Sequence, residues 1–368
     1  MMTSPKSLKM ALATSILALS AAGASAADVE LNVVSWGGAY TRSQINAYEK
    51  PYMAEHPEVQ LNSVDYSGGL AEVRAQTEAG NVTWDLVDVV VADGITGCDE
   101  GLFLPVNFDT DLDPAPDGTP PTEDFLEGTL VSDCFIPQII YSTAFAYRTD
   151  AFQNGEQPKT MADVFDLEKF PGKRTLQKSP VNNLEWALIA DGVPVGEVYD
   201  VLDTPEGVDR AFAKLDTIKS EVIWWTEGAV PAQLLADGEV VFGTGFNGRL
   251  FSAIEEEGQP LAMIWDGQAM DIDGWAIPAD GAHIEDVKKF LRFATDTQRL
   301  ADQAKWISYG PARKSSLPLV DKHAELGIDM APHMPTKYAD QGFLTNFEWW
   351  ADHKDSLNER FNSWLARG

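Results

Sequence analysis

Cysteine is almost missing: the 368 residues hold two, Cys98 and Cys134. Two cysteines 36 positions apart do not make the close ligand pairs of structural zinc. Histidine is equally sparse, and His56, His283, His323, His333 and His353 are scattered with no H-x-x-x-H spacing, so no metal site is expected. No G-x-S-x-G elbow occurs, and Ser67 in DYSGG lacks the first glycine. Basic residues are few. Lysine and arginine total 27 against 57 acids, a formal net charge of −30, and phosphates would be repelled from such a surface, which argues against a nucleic-acid partner. No stretch approaches the ~20 apolar residues that a membrane span needs. These absences give no positive sign of an enzyme.

What is present begins with an address. Residues 1–26 place Lys6 and Lys9 before an apolar run, Met10 to Leu19, and end in Ala24-Ser25-Ala26. That pattern predicts a secretory signal cleaved before Ala27, hence a periplasmic location in a bacterium with two membranes. The residue at the cleavage site is Ala27, not a cysteine, so no lipid anchor is expected. Cleavage removes two lysines and no acids, taking the net charge from −30 to −32. In an oxidising compartment Cys98 and Cys134 read as one disulfide, with two buried thiols as the alternative.

Periodicity then gives an α/β fold. VELNVVS, Val59 to Tyr66 and Trp84 to Ala92 read as strands, separated by helices ending near Glu55 and over Leu70 to Ala79. This β-α-β-α-β rhythm predicts a lobe with a largely parallel sheet. FIPQIIYSTAFAY, residues 135–147, has strand character long enough to pass from one lobe to another. A second rhythm follows: helix Met161 to Leu167, strand Lys173 to Gln177, helix Leu184 to Ala190, helix Pro205 to Lys219 and strand Val222 to Trp225. DIDGWAIP, residues 271–278, is a second crossing, and it leads to the amphipathic helix Ile284 to Thr295.

GEVVFGTGFNGRLF contains Gly243, Gly245 and Gly248 in the spacing G-x-G-x-x-G between a strand-like and a helix-like run, and Asp266 follows at a distance suited to a ribose-binding acid. Spacing alone leaves a dinucleotide turn open. Aromatic residues beside strand ends offer a competing chemistry: Trp36, Trp225, Phe246, Trp275 and Tyr309. Acids occupy similar places, namely Asp93, Glu227, Asp271 and Asp273. Ring faces interleaved with carboxylates form a box for an amine, because the ring quadrupole attracts the cation and the acids accept its N–H bonds. Arg249 either pairs with one of those acids or receives a ligand carboxylate.

VVSWGGAY, FDLEKFPGKRTL (165–176), SPVNNLEWALIADGV (179–193), QLLADGEVVFGTGFNGR (233–249) and DIDGWAIP, in this order, resemble the spermidine/putrescine-type periplasmic solute-binding proteins of ABC transporters. The resemblance implies a type II periplasmic binding fold: two α/β lobes joined by two extended hinge crossings that close on ligand. It implies one lobe over 28–143 plus 275–318 and a second over 144–274 plus 319–368, with the 243–248 glycines serving chain reversal rather than a cofactor. Matched position by position, it gives Trp36, Phe246 and Tyr309 as cleft aromatics and Asp273 as receiver of a ligand amine, with Asp93, Glu185, Trp225, Arg249 and Asp271 completing the expected site. The implied protein is a monomer without cofactor that captures a small amine such as putrescine or spermidine and delivers it to a permease. Ser179 and Asn182 stand where polyamine binders place acids, and Asp271 stands where an aromatic is expected. With Arg249, they make a zwitterionic ω-amino acid the alternative ligand.

Overall fold

Alternating or wholly apolar runs bounded by glycine and proline become ten strands in the computed structural model, which describes residues 1–2, 27–152 and 155–367. The expected leader lies outside the described residues, apart from its first two. The strands are β1 (Val29–Ser35), β2 (Val59–Asp65), β3 (Leu86–Val90), β4 (Ile136–Arg148), β5 (Arg174–Gln177), β6 (Val222–Trp225), β7 (Phe242–Phe246), β8 (Leu261–Ala276), β9 (Gly310–Pro311) and β10 (Phe343–Leu344). They form a sheet in the order β2-β1-β3-β8-β4-β7-β5-β6, with β9 paired to β4 and β10 to β8.

Each wing of that sheet is parallel, β2-β1-β3 on one side and β7-β5-β6 on the other. Between them runs the antiparallel pair β4 and β8, whose 13 and 16 residues are long enough to serve both wings. The two largest apolar clusters lie one against each wing. One set packs Leu31, Tyr48, Leu86, Trp275 and Phe290; another packs Phe145, Trp186, Leu188, Phe212 and Trp364. The molecule is therefore a two-lobed α/β protein, with β4 and the end of β8 where the sequence places its crossings.

One feature departs from the sequence reading. Leu261 to Trp265 and residues 271–276 belong to one strand, not two, because the register against β4 slips between Thr143↔Ala269 and Phe145↔Ile264. The excess residues bulge out at Gly267, whose φ of +71° suits glycine. Beyond β9 the chain runs through residues 314–342, built largely of 3-10 turns. It ends in the helix Phe347–Leu365, which packs Trp349, Trp350, Phe361 and Trp364 onto the second core.

Cys98 and Cys134 are bonded, with Cα atoms 5.6 Å apart. The bridge ties the helix Val91–Asp99, which follows β3, to the approach to β4. No helix among the described residues is long and apolar enough to cross a membrane.

Candidate functional site

Trp36 leaves β1 at a sharp turn. Gly37 and Gly38 both adopt left-handed φ, +75° and +61°, and the chain turns directly into the helix Gly38–Gln44. The indole is then fixed from two sides. Its ring lies 4.9 Å from that of Tyr66, and a Cβ on Gly68 would stand 2.6 Å from it, so only glycine admits the ring there. Its Nε1 donates to Asp88 Oδ1 at 3.3 Å.

Across the sheet, β7 delivers Phe246, whose ring meets Tyr141 of β4 at 5.9 Å and Trp225 at 6.3 Å. Tyr309 lies 6.0 Å from Tyr141 and 5.8 Å from Tyr40, closing the aromatic floor. Between these walls is a cleft of about 800 Å³ lined by Trp36, Tyr66, Tyr141, Phe246, Arg249, Asp273 and Tyr309, among others.

The three glycines of the G-x-G-x-x-G motif serve packing. None has positive φ. A Cβ on Gly243 would press on Leu235 and Thr175, one on Gly245 on Leu250, and one on Gly248 would come within 2.8 Å of the Tyr309 ring. The turn is held by Asn247 instead: its Oδ1 accepts from Ser142 N at 2.9 Å, and its Nδ2 donates to Ser308 O. The chain reversal expected of these glycines is thus the work of an asparagine that ties the turn to β4 and to the Tyr309 loop.

Asp273 is 9% exposed, and its carboxylate accepts no hydrogen bond among the described residues, with Oδ1 fully buried. Burial raises its pKa well above the carboxylate range, and the neighbouring acids Asp88 and Asp271 push it further. Asp271 lies behind it, bonded by Ile272 N at 2.7 Å and approached by Tyr141; burial pushes it up to about 7. Arg249 is exposed, forms no ion pair or hydrogen bond among the described residues, and has its guanidinium carbon 6.0 Å from the Phe246 ring. Tyr309 lies in the field of both Asp273 and Arg249. The cleft thus offers an unpaired acid, an unpaired cation and ring faces between them.

Other expected site residues lie elsewhere. Glu185 is fully buried in the second core, where Oε1 accepts from Tyr199 Oη at 2.9 Å and Trp350 Nε1 at 2.7 Å, so it anchors the C-terminal helix. Trp225 is 2% exposed and donates to Thr244 Oγ1 at 3.0 Å, backing Phe246 without reaching the cleft. Asp93 accepts from Gly69 N at 3.2 Å and is not among the lining residues. The sequence reading did not select Tyr40, Tyr66, Tyr141 or Asp88. A signal for Asp88 was present: one acid inside the apolar strand LVDVV.

The bacterial extracellular solute-binding protein profile matches residues 44–336. The chain belongs to this family. A γ-aminobutyric acid-binding protein of Pseudomonas aeruginosa is 38% identical over 347 residues, 94% of each chain. The solved Atu4243–GABA receptor is 31% identical, with a TM-score of 0.75 over 92% of this chain and 98% of its own. The spermidine/putrescine-binding protein PotD of Streptococcus pneumoniae is 14% identical, with a TM-score of 0.63 over 91% of this chain and 99% of its own. The expected spermidine/putrescine-type membership is therefore corrected to the broader family, since that likeness extends to the fold alone.

Proposed function

We propose that this protein is the periplasmic substrate-binding component of an ABC importer for a small zwitterionic ω-amino acid of the γ-aminobutyrate class. One observation carries the reading: Asp273 and Arg249, an acid and a cation each without a partner, share one aromatic cleft. An ω-amino acid supplies the complement to both, its ammonium at Asp273 and its carboxylate at Arg249, with the methylenes against Phe246, Tyr309 and Trp36. The likeness to two γ-aminobutyrate binders supports the same choice.

The lobes divide at 28–143 plus 275–318 and 144–274 plus 319–368, so that Arg249 and Trp36 approach the ligand from different lobes. A bridging ligand then favours the closed arrangement, which the permease receives. A diamine is the second reading, favoured by the excess of acid at and behind the cleft: buried Asp88 and Asp273 and half-buried Asp271 against one arginine. Calorimetric titration with γ-aminobutyrate, putrescine and spermidine separates the two. Binding of γ-aminobutyrate with weak or no binding of either polyamine is expected; the reverse order would overturn the proposal.

A further inference from the structure

Asp88 is fully buried in the middle of β3, an otherwise apolar strand, and no lysine, arginine or histidine among the described residues pairs with it. It nevertheless organises the first-lobe wall of the cleft. Its Oδ1 accepts from Trp36 Nε1, its Oδ2 from Gln44 Nε2, and its backbone carbonyl from Tyr66 Oη. Gln44 and Tyr40 both donate to Gln138 Oε1 at 3.0 Å, and Gln138 donates to Gln303 at 3.2 Å, so the acid sits at the head of a buried glutamine chain. The antiparallel register pairs Val90 with Asp273 and Asp88 with Trp275. Asp88 and Asp273 are therefore diagonal neighbours on one face of the sheet, at roughly the 7–8 Å separation usual for such pairs.

We propose that Asp88 is a specificity-determining residue for this cleft: with Asp273 it forms a pair of adjoining buried acids whose missing counter-cation is the ligand's ammonium group. The inference rests on the reading of an ammonium-bearing ligand and adds what makes that group obligatory. Two adjoining carboxylates in a buried site do not both ionise without a cation, so the empty pair retains a proton. Burial pushes Asp88 up to about 7, and Asp88 in turn raises Asp273. When R–NH3⁺ enters, the carboxyl proton passes to solvent and the ammonium takes its place against the carboxylate. Neutral ligands of the same shape have nothing to exchange.

No cation among the described residues pairs with either acid; Arg299, whose field reaches Tyr48, is paired with Asp302 at 2.8 Å. The other anions nearby are Asp271, which raises Asp273 further, Asp93, whose field reaches Tyr66, and Glu257 on the cleft lining. Tyr40, Tyr48, Tyr66, Tyr141 and Tyr309 all have pKa values raised, chiefly by burial, and stay neutral. Arg249 is the one cation whose field reaches the Tyr309 side of the cleft, and the ligand carboxylate engages it. The sign follows: affinity falls as pH drops through neutrality, tending toward a tenfold loss per pH unit once one proton must be displaced per ligand.

Two measurements test this. In the ligand-free protein, the Trp36 indole ¹⁵N resonance, assigned with Trp36→Phe, reports its hydrogen-bond partner directly. It is expected to titrate near neutrality in the wild type and to stay fixed in Asp88→Asn, which keeps an acceptor oxygen but no charge. Calorimetry with γ-aminobutyrate in buffers of different ionisation enthalpy is expected to show proton release at pH 7 that Asp88→Asn reduces, a change that loss of wall geometry alone would not produce. If the indole titrates but only putrescine binds, the acid pair stands and the ω-amino acid reading falls. An indole resonance constant from pH 5 to 9 in the wild type, or proton release unchanged by Asp88→Asn, overturns the proposal.

Discussion

Replacing Arg249 by alanine separates binding from folding more cleanly than any other change in the cleft. The side chain is exposed and makes no hydrogen bond or ion pair among the described residues, so the folded state loses only its loose approach to the Phe246 ring. Unfolding free energy should stay within ~0.5 kcal/mol of wild type, as for other exposed positions without structural partners. The bound state loses a guanidinium–carboxylate contact in a partly enclosed site, where a charge-assisted hydrogen bond contributes about 2–3 kcal/mol. At ~1.4 kcal/mol per decade, γ-aminobutyrate should bind about 30- to 150-fold more weakly. A diamine should respond in the opposite direction, because its second ammonium no longer faces a like charge. Calorimetric titration of both ligands, with urea unfolding as the control, measures all three quantities. Affinity for γ-aminobutyrate within about twofold of wild type, or equal weakening of both ligands, would refute the role given to Arg249.

The remaining predictions concern stability. Replacing Cys98 and Cys134 by alanine opens a loop with a sequence separation of 36, which the chain-entropy relation values at about 4 kcal/mol; urea unfolding should show a loss of that order without a change in ligand preference. Glu185 has its pKa raised from 4.5 to about 7 by burial, a shift that corresponds to roughly 3 kcal/mol at 1.36 kcal/mol per unit. A raised acid destabilises the fold above its unfolded value, so this penalty is absent below pH 4.5, grows toward pH 7 and is complete above it. Glu185→Gln should therefore flatten the pH dependence of unfolding between pH 5 and 8 and leave ligand affinity unchanged; an unaltered slope would contradict the assignment.

Most of the scaffold was legible because its signals are local. Apolar runs such as LVDVV and VIWW, bounded by glycine, proline and polar turns, become strands within a residue or two of where periodicity places them. The long β4 was legible from its length alone. β8 was not, because the polar stretch WDGQ interrupts it where the bulge falls, and a bulge has no hydrophobic period. The cleft was only partly legible for a related reason. Position beside a strand end says that a side chain is near the cleft and leaves its direction open. Trp36 and Phe246 turn into it, while Trp225 turns toward Thr244. Glu185 sits in the first turn of its helix with its carboxyl turned to Trp350, and a sequence cannot distinguish a buried anchor from a binding acid when both follow a loop.

The residues that were missed share a different property: sheet order, not sequence distance, brings them together. Asp88 reaches Asp273 through the β3–β8 pairing, across 185 positions of chain, and Tyr141 reaches Tyr309 because β9 pairs with β4. The site is thus drawn from both parallel wings and from the two long strands between them. That origin has an energetic consequence. Arg249 belongs to the wing side of β7, Trp36 and Asp88 to that of β1 and β3, and Asp273 to the strand that joins them. On the proposed reading a ligand held by all three would contribute binding energy only when the wings are positioned together, while the empty site leaves the Asp273 carboxyl unpaired and Arg249 in water. Binding at a hundredfold excess over Kd then adds about 2.7 kcal/mol to the closed, loaded form over any form that cannot bind. On the proposed reading the shape change and the charge pairing would be the same event: the acids that raise the free energy of the empty cleft would also make its closure depend on a cationic group.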